Sequence, residues 1–192
     1  MGHVRIAILA SGSGSNALKL LAHFKHTETN VTVALIGTNN PAAGVLNHAK
    51  AYNIKPFIFD KTTFNSPDFV KRLKADGIDW IVLAGFLWLI PENLISAFEN
   101  KIINIHPSLL PKYGGKGMYG NHVHQAVLNN QELKTGITIH LVNNEYDKGA
   151  QLFQAAVAIA EEDTLEAVQK KVQVLEHQYF AGVVESLIAF CG

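Results

Sequence analysis

The sequence predicts an α/β fold in which a single domain, residues 1–192, forms a doubly wound and mostly parallel sheet. Three observations lead to this prediction. A chain of 192 residues suits one domain, and 48% hydrophobic residues suffice to fill its core. Short apolar runs alternate with amphipathic segments through the first half, which is the order of βαβ units. The first run, residues 5–10, is apolar without alternation, as expected of a strand buried on both faces.

Five strands and four helices are predicted in the first 106 residues. The turn after the first strand contains Ser15 and Asn16, which are suited to cap the helix that follows. Pro67 suits the first turn of a later helix, and Pro107 stops the fifth strand. We therefore expect strands at residues 5–10, 31–37, 56–59, 80–84 and 102–106, and helices after residue 15 and at residues 42–52, 66–77 and 91–98.

The pattern changes after the fifth strand. Residues 111–121 are a Gly-rich loop without periodicity, and a helix is expected at residues 122–129. Two strands, residues 135–142 and 152–160, follow each other so closely that we expect an antiparallel or long-looped pair. Apolar residues at helical spacing then predict one long helix over residues 164–190.

Charge and cysteine content exclude several classes of protein. The 16 Lys and Arg residues balance 16 Asp and Glu residues, so the chain lacks the net positive charge of a nucleic-acid-binding protein. The single cysteine excludes a disulfide framework and a cysteine-ligated metal site. The longest apolar run, residues 80–91, is too short to span a bilayer, and no signal peptide precedes the first strand. We expect a cytoplasmic protein that binds neither nucleic acid nor membrane.

Residues 11–16 form a Gly- and Ser-rich turn between the first strand and the first helix. Free backbone N–H groups and the helix dipole make such a turn suited to phosphate. Gly12 and Gly14 match part of a dinucleotide-binding fingerprint, but the acidic residue expected about 20 positions later is absent. From the residues alone, a phosphate monoester, a dinucleotide and a plain tight turn all remain open.

Asn104 and His106 alternate along the fifth strand, so both side chains are expected on one face at its carboxyl end. An amide beside an imidazole offers an oxyanion donor next to a proton carrier. The alternative is a strand end whose two polar groups are merely satisfied. Asp147 lies in the polar loop of residues 143–149, and its carboxylate would raise the pKa of a nearby histidine. The alternative is that Asp147 is an ordinary turn residue.

Other polar and aromatic residues allow two interpretations. His140 and Thr138 share a face of the next strand, where a histidine bonded to backbone is the usual case. Trp88, after the fourth strand, suits either the wall of a pocket for a flat ring or the core. The histidine spacing is not that of a zinc site, so no metal is expected.

Four motifs together resemble those of the phosphoribosylglycinamide formyltransferases, a family with a Rossmann-like fold in the 10-formyltetrahydrofolate-dependent formyltransferase superfamily. The most specific, residues 104–112, resembles the hallmark of the superfamily. Residues 11–16 resemble the phosphate loop of the family. Residues 136–140 with residues 147–149 are similar to a third motif, and residues 176–177 to a late Glu-His pair.

The resemblance implies a function and a set of site residues. Such enzymes transfer the formyl group of 10-formyltetrahydrofolate to the amine of 5'-phosphoribosylglycinamide in purine biosynthesis, without a metal. It therefore implies two small-molecule partners, the ribonucleotide and the reduced folate, and a monomer or weak homodimer. It also implies ribonucleotide binding by the N-terminal half and folate binding by the C-terminal half. The implied residues are catalytic Asn104, His106 and Asp147; ribonucleotide-binding Gly14, Ser15, Asn16 and Glu176; folate-binding Leu87, Trp88, Leu89, Ile90 and Asn104; and Thr138 and His140, which support the aspartate loop and an ordered water.

The chain departs from the common bacterial pattern on the folate side, and other activities remain as alternatives. Trp88 and Pro67 stand where arginines are common, and the Gly-rich loop, residues 113–120, is longer than usual. The alternatives are a formyltetrahydrofolate deformylase and a sugar-nucleotide formyltransferase. Deformylases carry an extra N-terminal domain, which we do not expect here because the first strand begins at Arg5. A methionyl-tRNA formyltransferase would need a basic C-terminal domain, and a non-catalytic nucleotide-binding domain would not need the three catalytic positions.

Overall fold

The computed structural model describes residues 2–191, and this part of the chain forms one seven-stranded sheet and seven helices. The strands are β1 (Val4–Leu9), β2 (Val31–Thr38), β3 (Lys55–Ile58), β4 (Trp80–Leu83), β5 (Ile102–His106), β6 (Lys134–Leu141) and β7 (Gln151–Ala158). The helices are α1 (Ser15–His26), α2 (Val45–Ala51), α3 (Lys61–Asn65), α4 (Pro67–Ala75), α5 (Glu92–Ala97), α6 (Asn121–Asn129) and α7 (Leu165–Cys191). No helix within residues 2–191 combines the length and the apolar character needed to cross a membrane.

The order in which successive strands are added to the sheet reverses beside β1. Its order is β3-β2-β1-β4-β5-β6-β7, and the pairs from β3 to β5 are parallel. The chain builds outward from β1 to β3 and then returns to place β4 on the other side of β1. Open α/β sheets bind ligands at such a reversal, outside the carboxyl ends of the strands. The closely spaced β6 and β7 are antiparallel, as predicted.

Both faces of the central strand β1 are buried. Ile6 and Ile8 of β1 belong to an apolar cluster with α1, α2 and α7. Ala7 and Leu9, which point the other way, belong to a second cluster with α3, α4 and α5. The predicted doubly wound α/β fold is therefore confirmed, and each fully buried large apolar side chain stabilises it by about 1.5–3 kcal/mol.

Two local details differ from the prediction. Ser15 and Asn16 do not cap α1, because the cap position is Gly14, which has a left-handed φ of 78° and no side-chain cap. The helix begins at Ser15, directly after this glycine. Glycine suits the cap position because it adopts the left-handed conformation without strain. The short helix α3 has no counterpart in the prediction, because five residues are too few to show helical periodicity. Asp60 caps it by accepting a hydrogen bond from the Thr63 N–H at 2.7 Å.

Candidate active site

A cleft of about 630 Å³ lies along the carboxyl ends of β4 and β5, a volume typical of small-molecule sites. Five parts of the chain that the sequence analysis singled out line it. They are the Gly- and Ser-rich turn (residues 11–16), the segment after β4 (residues 84–90), the end of β5 (residues 104–107), Asp147 in the loop after β6, and Glu176 in α7. The pairing of β1 with β4 and of β4 with β5 thus brings together motifs that are distant in sequence.

Asn104, His106 and Asp147 meet in this cleft. Asp147 Oδ1 lies 3.4 Å from His106 Nδ1, 3.5 Å from Asn104 Nδ2 and 3.6 Å from His140 Nε2. The antiparallel pairing of β5 with β6 allows this arrangement, because it sets Asn104 opposite His140. Among residues 2–191, no group of three His, Cys, Asp or Glu side chains is placed to hold a metal ion.

The loop between β6 and β7 holds Asp147 in place. Asp147 has a left-handed φ of 57°, which aspartate adopts more readily than most residues. A side chain at Gly149 would collide with the Leu141 carbonyl oxygen, so only glycine fits there. Asp147 Oδ2 accepts a hydrogen bond from the Gly115 N–H at 2.9 Å. Gly149 is therefore required for steric reasons. The Asp147 carboxylate links the loop between β6 and β7 to the Gly-rich loop that contains Gly115.

Burial and hydrogen bonding oppose each other in setting the charges of this group. Burial lowers the pKa of His106, while the Asp147 carboxylate and the Tyr113 carbonyl raise it, and burial prevails. Asp147 raises this pKa, as predicted, but the net shift is downward because His106 is only 4% exposed. Burial raises the pKa of Asp147, but its contacts with His140, His106 and the Gly115 N–H outweigh burial, and the net shift is downward. The resting pair is a neutral imidazole beside a carboxylate.

The second ring nitrogen of His106 is bound by the backbone. Nε2–H donates to the Tyr113 carbonyl oxygen at 2.7 Å, since a carbonyl only accepts. In the neutral ring, Nδ1 therefore carries the lone pair, and it faces Asp147. The sequence analysis missed Tyr113 and Gly115 because both act through backbone groups, which residue types do not reveal.

His140 and Thr138, two positions apart on β6, make different hydrogen bonds. His140 Nδ1–H donates to the Leu141 carbonyl at 2.8 Å, so its Nε2 accepts from the Asn104 amide at 3.0 Å. The prediction of a histidine bonded to backbone is confirmed. The Thr138 hydroxyl donates to the Ser108 carbonyl at 2.7 Å, and its expected role beside the aspartate loop and an ordered water stays a prediction. The hydroxyl supports the segment after β5, because its strand lies directly beside that segment.

At the other end of the cleft, the Gly- and Ser-rich turn leads into α1. Gly14 has a positive φ, and a Cβ there would lie 2.7 Å from the Val45 side chain, so both backbone and space require glycine. No side chain caps α1, which leaves its first N–H groups, at Ser15 and Asn16, for an anion. This geometry suits the predicted phosphate.

Asn16 joins this turn to α7. Its Nδ2 donates to Glu176 Oε2 at 3.0 Å across 160 sequence positions. Burial raises the pKa of Glu176, and the hydrogen bond from Asn16 offsets only part of that shift. Asn16 Oδ1 is buried without a partner among the described residues, so a bound ligand or water would satisfy it.

The segment after β4 supplies an apolar wall. Leu87 and Leu89 are 45% and 42% exposed, whereas Ile90 is buried. The ring of Trp88 lies 5.7 Å from that of Phe64, within an aromatic cluster. Trp88 lines the cleft and also packs against the core, and the binding of a flat ring there stays a prediction.

Comparison of the chain with known proteins identifies its family. The family model described as formyl transferase matches residues 4–184, which is nearly the whole chain. The chain belongs to the formyl transferase family. The phosphoribosylglycinamide formyltransferase of Bacillus subtilis (strain 168) is 33% identical over 189 residues, covering 96% of this chain and 94% of that protein. The family predicted from the sequence is confirmed.

Two other members of the family are similar along the same part of the chain. The chloroplastic phosphoribosylglycinamide formyltransferase of Arabidopsis thaliana is 39% identical over 189 residues, covering 95% of this chain. This chain spans 65% of the length of that plant protein, or less than two thirds. The crystal structure of phosphoribosylglycinamide formyltransferase from Bacillus halodurans has a TM-score of 0.89 at 36% identity, covering 98% of this chain and 97% of that one. The formyl transferase fold thus extends over nearly the whole chain.

Proposed function

We propose that this formyl transferase transfers the formyl group of 10-formyltetrahydrofolate to the amine of 5'-phosphoribosylglycinamide, a step of purine biosynthesis. One observation carries the proposal. A single cleft combines an amide, an imidazole and a carboxylate with an anion-binding turn at its other end. The names of the similar bacterial and plant proteins support the same substrate.

Asn104 is the oxyanion donor in this proposal. Attack of the amine nitrogen on the formyl carbon places negative charge on the formyl oxygen. One N–H of the Asn104 amide binds His140 at 3.0 Å, while the other makes only a long contact of 3.5 Å with Asp147. The second N–H is therefore available to the oxyanion. Such a donor typically contributes about 100- to 1,000-fold to the rate.

In this proposal His106 and Asp147 carry a proton from the attacking amine to the folate N10. The amine loses a proton as its bond to the formyl carbon forms, and the folate N10 gains one as its bond to that carbon breaks. Neutral His106 accepts the first proton at Nδ1, the nitrogen that faces Asp147 at 3.4 Å. The carboxylate stabilises the imidazolium, which then donates to N10. One proton thus passes from the amine to N10, and both residues return to their starting states.

The two substrates occupy opposite ends of the cleft. The N–H groups of Ser15 and Asn16 bind the phosphate, and Glu176 binds the rest of the ribonucleotide. The pterin ring lies against the segment that contains Trp88. In this proposal the ribonucleotide site combines Ser15 and Asn16 of the N-terminal half with Glu176 of the C-terminal half, and the folate site combines Trp88 with Asn104. Every site residue used in this proposal comes from one chain, so a monomer or a weak homodimer suffices. Sedimentation velocity measures the oligomeric state directly.

A spectrophotometric assay with 10-formyl-5,8-dideazafolate tests the proposal. We expect an absorbance change that requires glycinamide ribonucleotide. A change that does not require it would identify a deformylase. Formyl transfer to an amino-sugar nucleotide but not to glycinamide ribonucleotide would identify the sugar-nucleotide enzyme. Either of these two results overturns the proposal.

A further inference from the structure

The segment after β5, residues 108–113, ends beside His106 in a conformation that must be held. Ser108 Oγ donates to the Lys112 carbonyl at 2.8 Å and so closes the segment into a turn. Tyr113 has a left-handed φ of 57°, which is unfavourable for a large side chain. Its carbonyl oxygen is nevertheless the acceptor for His106 Nε2–H at 2.7 Å. The position of this carbonyl depends on contacts that stabilise Tyr113.

Glu132 provides such a contact from outside the cleft. Its Oε1 accepts hydrogen bonds from the Tyr113 hydroxyl at 2.9 Å and from the Lys112 ammonium at 2.7 Å. The backbone of Glu132 is fixed in turn, since its N–H donates to the Val127 carbonyl of α6 at 3.3 Å. Hydrogen bonds from Lys112 and Tyr113 hold the pKa of Glu132 below its ordinary value, so the carboxylate is charged at neutral pH.

Two acceptors compete for the one proton of neutral His106. The Tyr113 carbonyl accepts from Nε2, at 2.7 Å, whereas Asp147 Oδ1 faces Nδ1 at 3.4 Å. The shorter contact is within hydrogen-bond range and the longer one is beyond the usual range, so the proton lies on Nε2. If the Tyr113 carbonyl moved away, the carboxylate would draw the proton to Nδ1. Nδ1 would then be unable to accept a proton from a substrate amine.

We propose that Glu132 is a positioning residue, which fixes the Tyr113 carbonyl and thereby keeps the proton of His106 on Nε2. Its effect on the rate rests on the proposed formyl transfer, whereas its effect on the imidazole does not. The other titratable groups that face His106 are Asp147, His140 and His124, and a substitution at Glu132 leaves all three in place.

Three substitutions and one control test this role. Glu132→Ala removes the acceptor, and Tyr113→Phe removes the donor of the same hydrogen bond. Glu132→Gln keeps an oxygen that accepts from the Tyr113 hydroxyl. Asp68→Asn is the control, because it removes the charge of another carboxylate that pairs with a lysine, Lys71 at 2.8 Å, on helix α4.

We expect Glu132→Ala and Tyr113→Phe each to lower kcat by about 3- to 10-fold, with a smaller effect on KM. The double variant should be no worse than either single one, because both remove the same contact. Glu132→Gln should retain most of the activity, and Asp68→Asn should leave it unchanged. The pH profile of kcat should also change in the first two variants, since the protonation of His106 changes.

Proton–nitrogen correlation NMR of the imidazole rings gives a readout that is independent of activity. At a pH where His106 is neutral, the unmodified protein should show the Nε2–H form, and Glu132→Ala should gain the Nδ1–H form. An unchanged tautomer in a folded Glu132→Ala variant overturns the proposal. If that variant does not fold, as judged by circular dichroism, Tyr113→Phe decides in the same way. If the unmodified protein transfers no formyl group, the proposed function fails, while the tautomer still tests the role of Glu132.

Discussion

The two ends of the cleft differ in what supplies their polar groups. At the proposed catalytic end the groups are side chains, those of Asn104, His106 and Asp147, held by strand pairing and by a loop. At the proposed anion end the groups offered to the phosphate are backbone N–H groups after Gly14, held by the shape of a turn. The groups offered at the first end therefore depend on residue identity, and those offered at the second end depend on backbone conformation. Substitutions should accordingly change the rate at one end and stability or binding at the other.

The largest effect is expected at the catalytic end. His106→Ala removes the proton carrier and should lower kcat/KM by about 100- to 10,000-fold while the fold is kept. The formyl-transfer assay measures the rate, and circular dichroism checks the fold. His26→Ala, an exposed histidine on α1, is the control and should be without effect. Near-native turnover in folded His106→Ala would remove this residue from the catalytic set.

A slightly smaller loss is expected for Asn104→Ala. The oxyanion donor acts mainly in the transition state, so kcat should fall by about 100- to 1,000-fold with little change in KM. Steady-state kinetics with both substrates separate the two parameters. A raised KM with an unchanged kcat would mean that Asn104 binds substrate in the ground state instead.

A backbone substitution should act differently at the anion end. Gly14→Ala forces an unfavourable φ and a clash with Val45, and should destabilise the fold by about 1–3 kcal/mol. Gly182→Ala is the control, because its Cβ meets open space on α7, and it should stabilise the fold by about 0.5–1 kcal/mol. Urea unfolding measures both changes. Equal effects of the two substitutions would contradict the steric argument at Gly14.

The smallest effect is the pH dependence of stability. Burial lowers the pKa of His106, His124 and His177 below the ordinary value of 6.5. The unfolded chain then binds more protons than the folded one between the lowered values and 6.5. The stabilisation is fully present above pH 6.5 and is lost as the pH falls through the folded-state values. Glu176, whose pKa burial raises, acts in the opposite sense, since its contribution is lost as the pH rises through its folded-state value.

Urea unfolding at about pH 5.5 and about pH 7.5 measures this balance. We expect lower stability at the lower pH, because three histidines oppose one carboxyl group. His124→Gln should reduce the difference between the two conditions. A stability that is the same at both pH values would contradict the prediction.

Some features of the site were predictable because they depend on local sequence. The strand from residue 102 to residue 106 is reproduced without change, since Pro107 ends it and its apolar pattern is unbroken. The turn before α1 follows from its glycines. The short helix α3 was not predictable by periodicity, because one turn and a half contains too few residues. The supporting contact of Thr138 depends on strand pairing, and its own strand does not reveal it.

The sequence by itself determined the order of the elements, the type of sheet and the residues able to carry chemistry. Hydrophobic periodicity, turn residues and motif spacing are properties of neighbouring residues, so they can be read along the chain. Only the tertiary structure decided that the pKa of His106 falls and that Nδ1 is the nitrogen facing Asp147. A pKa and a tautomer depend on burial and on the nearest acceptors, here the carbonyl of Tyr113 and the carboxylate of Asp147, which folding alone brings to the same ring.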